Sequence, residues 1–462
     1  MNQEAEKGYG MTEGTIWKQI LIFFFPVLLG TFFQQLYNTA DSVIVGRFVG
    51  PEALAAVGGS ASVLVTLLIS LFTGISTGST VMVSQYFGAG KYEGMGKAVH
   101  TSVAFAIVAG FFMMVIGLLL SPFALRLMGT PEAIFSDTKM YLRIYLLGTI
   151  PTFIYNVGAA VLRAVGDTKR PLIFLMICCC VNVVLDLLLV VVFDLAVLGV
   201  AIATVTSQVI SAVLVILALQ RTEYFPPLSL KELSFTPNIL QGILLVGIPA
   251  GLQSDMYSIA NVIIQSTINT FGTNTIAAWS AYGKIESFFF MVMSALGISI
   301  TTFSGQNFGA KKIERVKKSV KIGVGMALGI AACFSLIFHF GGTVLLGLFT
   351  TDPEVLKLGL EVMGFVSPFY FTYVCIEVMS GAIRGTGEAL PPMLITSCGI
   401  CLLRVLWIFI VVPQHNTLGA VVASYPISWS LTTVIFIIYY SRGNWLKRRL
   451  RIYGKSQEEE LI

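Results

Sequence analysis

An all-α integral membrane protein, with twelve transmembrane helices in two parallel six-helix repeats, is the fold class predicted by three features of the sequence. Of 462 residues, 56% are hydrophobic and 11% charged, with a mean hydropathy of +0.84. Soluble domains carry roughly 25% charged residues and cannot bury so much apolar surface. Apolar stretches long enough to cross a hydrocarbon core of about 30 Å recur along the whole chain. The second half also repeats motifs of the first at a constant offset of 221 residues.

Hydropathy places the twelve spans near 17–46, 53–78, 98–122, 137–162, 171–193, 196–220, 238–268, 275–303, 318–348, 356–383, 392–412 and 416–440. The longest polar stretch, RTEYFPPLSLKELSFTP at 221–237, is read as a cytoplasmic linker. It divides an N-terminal lobe, 1–220, from a C-terminal lobe, 238–440, and a basic and acidic tail at 441–462 follows. The polar N-terminus runs into a long span, which is not the pattern of a signal peptide.

Basic residues set the expected orientation. The N-terminus, the even-numbered loops and the tail hold 22 of the 29 Lys and Arg; the odd-numbered loops hold 5. The positive-inside rule then puts both termini in the cytoplasm of a multi-pass cell-membrane protein. Basic residues confined to loops and the tail are a mark of membrane topology and give no reason to expect nucleic acid.

The repeat is visible in pairs of motifs. SQYFGAGKYE at 84–93 returns as GQNFGAKKIE at 305–314, and VLRAVGDTKRPL at 161–172 returns as AIRGTGEALPPM at 382–393. LGVAIAT from Leu198 is echoed by LGAVVAS from Leu418, and Pro26 by Pro249. An even number of spans per repeat gives both halves the same orientation, with a cavity expected between them.

Charge inside apolar spans points to the chemistry. Asp186 lies within FLMICCCVNVVLDLLLVVVF, one helical turn beyond Asn182; an aspartate at such depth is costly, so it faces protein, water or a cation. Either it is satisfied by neighbouring polar groups for packing, or it is a proton or cation site. In the first span Gln34, Asn38 and Asp41 fall on one helical face, and Pro26 removes a backbone hydrogen bond and permits a bend. Gln34, Gln35, Tyr37 and Asn38, with Tyr155 of the fourth span, are candidates to line a substrate cavity. Asp41 is either a solvated helix-end acid or the partner of Asp186. Two carboxylates sharing one low-dielectric pocket cannot both stay ionised cheaply, so one would exchange a proton under physiological conditions.

The C-terminal half lacks these acids: the offset carries Asp186 to Trp407 and Asn182 to Leu403. Its own intramembrane polar cluster comprises Asp255, Lys284, Glu286, Tyr373, Glu377 and Arg404. These groups either pair internally or contact a substrate or ion. Arg163 and Arg384, at cytoplasmic span ends, are expected to snorkel and cap carbonyls. The seven cysteines, without histidine at ligand spacing, are expected to be small buried hydrophobes without disulfides. No Walker sequence, H-E-x-x-H motif or histidine triad is present, so neither an ATPase nor a membrane-embedded enzyme is indicated.

Taken jointly, FFQQLYNTADSVIVGRFVGPEALAAVG, SQYFGAGK with GQNFGAKK, LRAVGDTKRP with IRGTGEALPP, N-x-x-x-D of the fifth span and LGVAIAT of the sixth resemble the multidrug and toxic compound extrusion (MATE) family over essentially all twelve spans. The resemblance implies a two-lobed, V-shaped transporter that exports amphipathic, often cationic drugs or toxic metabolites in exchange for H⁺ or Na⁺. It also implies that Asp41, Asn182, Asp186 and Thr204 are the cation or proton coupling site, with no metal beyond a Na⁺ there. The family's C-lobe site pairs a Glu on the seventh span with an Asp on the tenth. Asp255 and Glu377 are displaced from those positions and Tyr373 stands where the Asp is expected, so coupling is placed in the N lobe. The expected partners are small amphipathic molecules and the bilayer, with the protein a monomer and without a cofactor. A flippase of lipid-linked precursors, from the same superfamily, is the alternative.

Overall fold

The computed structural model describes residues 10–443 and 445–450; the expected tail beyond residue 450 and the start of the chain lie outside them. Among the described residues the chain is helical, without a strand. The first half contains α1 (Ile16–Val49), α2 (Pro51–Gly88), α3 (Tyr92–Leu127), α4 (Glu132–Leu147 and Thr149–Ala164), α5 (Lys169–Val192) and α6 (Ala196–Gln220). The second contains α7 (Pro237–Phe271), α8 (Thr273–Gly309), α9 (Ile313–Gly347), α10 (Pro353–Gly385), α11 (Leu390–Ile410) and α12 (Leu418–Ser441). Eleven of these are long and apolar enough to cross a membrane, and α4, whose two helices meet at 48°, makes twelve if counted as one span. The single span expected at 137–162 is thus broken. Gly148 ends the first helix, and Pro151 has no N–H to extend the ladder backwards, a loss tolerated in the first turn of the second.

The repeat is built into the turns. Gly166 and Gly387, related by the offset, both have positive φ (95° and 90°) and close the ends of α4 and α10. Asp167 N–H donates to Leu162 at 3.0 Å and Glu388 N–H to Ile383 at 3.3 Å, the same turn twice. Pro26 and Pro249 lie inside uninterrupted helices.

Contacts divide the chain into two compact units. Unit 1 includes Phe25–Gly251; unit 2 includes Met11–Phe24 and the described residues from Leu252 on. The first turns of α1 therefore belong with the second half, and the first turns of α7 with the first half. Each exchange is held by specific bonds. In unit 2, Met11 N–H donates to Gln306 Oε1 at 2.8 Å, Asn307 Nδ2 to Met11 O at 3.1 Å, and Arg315 Nη1 to Gly14 O at 2.9 Å. In unit 1, Ser229 N–H donates to His100 Nε2 at 3.1 Å and Thr236 N–H to Thr101 Oγ1 at 3.1 Å, while Phe225 and Leu228 enter the core. The 221–237 linker is thus docked on α3. His100 Nδ1 lies 2.8 Å from Gly96 O, so the ring donates there and accepts from the linker, which requires the neutral Nδ1–H tautomer.

Among the described residues three π-helical turns interrupt the ladder, at Val45–Val49, Leu187–Val192 and Ser397–Leu402. The first two follow Asp41 and Asp186, pack on each other, and place Val45 and Val190 in one buried cluster. Such turns recur at functional sites because they displace side chains from helical register.

The cysteines depart from expectation. All seven are free, but only Cys178 and Cys401 are buried, and Cys180, Cys333 and Cys398 are exposed. An apolar outer face meets lipid, so a small hydrophobe need not be buried in protein.

Helix crossings rely on missing side chains. A Cβ on Gly385 would lie 2.5 Å from Thr301 O and 2.7 Å from Ser304 Cβ, whereas one on Gly325 meets nothing within 4 Å. Gly385→Ala is expected to destabilise by about 1–3 kcal/mol through overpacking. Gly325→Ala should be neutral or stabilising by up to about 1 kcal/mol through helix propensity. Thermal unfolding of the purified variants in detergent tests this, and equal midpoints for both would refute the tight crossing.

Candidate coupling site and ligand cavities

Within unit 1, α1, α5 and α6 bring four predicted residues together. Asp41, Asn182, Asp186 and Thr204 are 7%, 0%, 0% and 2% exposed. Asp41 lies within electrostatic reach of Asp186, Asn182 and Thr204, and Tyr37, Tyr141 and Tyr145 surround it. Thr204 Oγ1 donates to Asp41 Oδ2 at 3.5 Å, a long bond. Asp41 Oδ1, both Asp186 oxygens, and Asn182 Oδ1 and Nδ2 are buried without a hydrogen-bond partner in the protein. Buried polar atoms are normally satisfied, and carboxylates most of all. Two acids, an amide oxygen and a hydroxyl form a hard-oxygen set, suited to a proton shared by the acids or to a small monovalent cation.

Beside this site lies a cavity of ≈100 Å³, lined by Gln34, Tyr37, Asn38 and Tyr155 among the predicted residues. Tyr155 OH is bonded to Pro171 O at 3.3 Å. Gln35 is exposed and does not line the cavity. Asn156, Ser207, Gln208 and Ser211 do line it and were not singled out from the sequence. Their signal was weak: Asn156, Ser207 and Ser211 bond to Thr152 O, Thr204 O and Gln208 O at 2.9, 2.8 and 2.7 Å, the pattern of a neutral polar side chain satisfied by its own helix.

Unit 2 distributes its polar residues differently. Glu377 accepts from Tyr373 OH at 3.2 Å and lies 3.8 Å from Arg384 Nη2, so Arg384 turns back along its own helix to an acid instead of capping carbonyls. Lys284 is exposed, with Nζ 5.7 Å from the Phe349 ring. Asp255 keeps Oδ1 buried and unpartnered. Glu286, Tyr373 and Arg404 line a larger cavity of ≈490 Å³. The cluster expected from sequence is therefore an ion pair, a lone lysine, a separate aspartate and a cavity.

Twelve spans in two repeats, with paired carboxylates deep inside one of them, define a polytopic membrane transporter. The chain belongs to the MatE family, whose profile matches residues 26–188 and 249–410, once in each repeat. Members of the family are transporters and not enzymes, and work without a cofactor. The chain is 27% identical to the probable multidrug resistance protein YoeA of Bacillus subtilis, over 94% of this chain and 96% of that one. It is 26% identical to the probable multidrug resistance protein NorM of Thermotoga maritima, over 93% of each. Its fold is similar to a crystal structure of MATE in the bent conformation, with a TM-score of 0.87, 23% identity and coverage of 97% and 98%. It is equally similar to an outward-facing multidrug resistance MATE family transporter, with a TM-score of 0.88, 24% identity and coverage of 96% and 99%.

Removing one charge from the acid pair should not cost stability, because no protein donor reaches either Asp186 oxygen and an amide there can still bond to Asp41. Asp186→Asn is expected to unfold at or slightly above the wild-type temperature near neutral pH. A midpoint several degrees lower in a detergent melt would instead make Asp186 a structural acid.

Proposed function

We propose that this chain is a secondary antiporter of the cell membrane, with both termini cytoplasmic, that exports amphipathic, cationic drugs or toxic metabolites in exchange for H⁺ or Na⁺. The lobes at 1–220 and 238–440 alternate access, joined by the 221–237 linker, and the protein acts as a monomer. The observation that carries this reading is the Asp41–Asn182–Asp186 group, buried with five side-chain atoms unpartnered. α1 joins it to the cavity, because Tyr37 and Asn38 line the cavity and Asp41 follows one turn later.

The carboxylates and a cationic substrate then compete for one electrostatic environment. With the acids charged, the cavity favours a cation; with a proton or Na⁺ on them, it does not. A ligand shifts a two-state equilibrium only by binding one state better than the other, and the acid pair supplies that difference. At ≈100 Å³ the cavity is below the roughly 300 Å³ of a small-molecule site, so loading requires it to widen. Bending of α1 at Pro26, where the ladder lacks one hydrogen bond, is the proposed means.

Two experiments test this reading. In proteoliposomes, uptake of a fluorescent organic cation should follow an imposed ΔpH or Na⁺ gradient, and Asp186→Asn should abolish it while inserting normally. Near-normal driven transport by that variant would remove the acids from the mechanism. Pro26→Ala restores a backbone donor and should lower turnover about tenfold or more with little change in equilibrium affinity. Unchanged turnover would leave lobe motion alone to couple the ion to the substrate.

A further inference from the structure

We propose that the basic face at the start of α9 is a docking surface for the acidic part of this chain's own tail, Glu458, Glu459 and Glu460. This goes beyond antiport and does not depend on Asp41 and Asp186.

Unit 1 already contains the equivalent contact. The segment after α6 folds over the start of α3: Phe225 and Leu228 enter the core, and a Cβ on Gly96 would lie 3.2 Å from Pro226. Ser229 N–H then bonds to His100, and Thr236 N–H to Thr101 Oγ1. In unit 2 the segment after α12 sets out in the same way. At the offset of 221 residues Tyr224 and Phe225 become Trp445 and Leu446, which are 3% and 7% exposed. Arg448 pairs with Glu388, and Arg449 Nε donates to Thr386 O at 3.1 Å. Tyr440, in the last turn of α12, lies within electrostatic reach of Glu314 in the first turn of α9. The tail therefore starts beside the helix that corresponds to α3.

From there the two partners change charge together. Gly96, His100 and Thr101 of α3 correspond to Lys317, Lys321 and Ile322 of α9, and Lys97 to Lys318. Neutral acceptors have given way to cations. Lys317, Lys318 and Lys321 are exposed, and Lys321 is a helical neighbour of both others. Lys317 is bonded to Glu314 at 2.8 Å, but Lys318 and Lys321 have no acid partner among the described residues. In the tail, Thr236 corresponds to Gln457, and three acids follow where the linker continues as Pro237, Asn238 and Ile239. The stretch from Leu450 to Glu458 spans up to about 26–29 Å when extended, enough to return to α9. A single exposed ion pair contributes little, whereas three carboxylates on three ammonium groups form a network and relieve the repulsion within each cluster. Anionic lipid headgroups suit the same lysines but leave the matching change in the tail unexplained.

Zero-length carbodiimide coupling of the purified full chain in a nonionic detergent, followed by peptide mass spectrometry, tests this. Isopeptide bonds are expected between the three tail acids and Lys317, Lys318 or Lys321 of the same chain, falling several-fold in about 0.5 M KCl. Lys317→Glu/Lys318→Glu/Lys321→Glu should abolish them. Adding Glu458→Lys/Glu459→Lys/Glu460→Lys to that variant should restore the coupling with the two roles exchanged. Truncation after Gln457 should speed acetylation of Lys318 and Lys321 about three- to tenfold. Coupling of the tail acids only to other sites or only between chains, no rescue by the exchanged charges, or unchanged acetylation after truncation would each overturn the proposal. Repeating the acetylation in nanodiscs separates the lipid from the tail. Shielding of both lysines that needs anionic phospholipid and persists in the truncated chain would assign the face to headgroups instead.

Discussion

Hydrocarbon offers no hydrogen-bond partners, and that constraint shapes every part of this chain. Backbone groups must be satisfied within each span, which is why the described residues are helical. Hydroxyls follow the same rule by bonding to the preceding turn: Ser76 to Phe72 O at 2.8 Å, Ser299 to Ala295 O at 2.7 Å, Thr432 to Ser428 O at 2.6 Å. Some buried hydroxyls, Ser79, Ser304 and Thr396 among them, have no partner, but Asp41, Asn182 and Asp186 gather five unpartnered atoms in one place.

The repeat duplicated a scaffold and then let its contents diverge. The turns persist at the offset, with Gly166 matched by Gly387 and Pro171 by Pro392, because they fix where helices end and cross. The site residues do not. Trp407, which replaces Asp186, donates its indole N–H to Ala420 O at 2.8 Å and so becomes a strut between α11 and α12. Arg404 stands where the first half has Val183. One half thus buries surplus negative charge and the other a cation among aromatic rings.

What the sequence made legible follows from how local the signal is. The spans, the repeat and the isolated charge of Asp186 are properties of a few neighbouring residues, and each could be recognised without knowing the fold. The bend in α4 was missed because Gly148 and Pro151 sit in an otherwise continuous apolar run. The larger cavity was missed because it joins residues far apart along the chain, with Tyr257, Glu286, Tyr373 and Trp429 all in its wall. Lys284 and Glu286, two residues apart, point to different surroundings, since an offset of two separates helical faces. Burial of the cysteines was overestimated because hydropathy cannot distinguish a residue facing protein from one facing lipid.

The exchanged helix ends bear on how the molecule is made. Met11 and Gly14 are among the first described residues to leave the ribosome, yet their partners Gln306, Asn307 and Arg315 lie about 300 residues later. The start of α1 must wait through the synthesis of most of the chain before its bonds can close. The start of α7 meets no such delay, since His100 and Thr101 have already been made when Ser229 and Thr236 appear. Unit 1 can therefore close during translation, whereas unit 2 closes late and around a segment made about 300 residues earlier, so its assembly ends by clasping the start of α1.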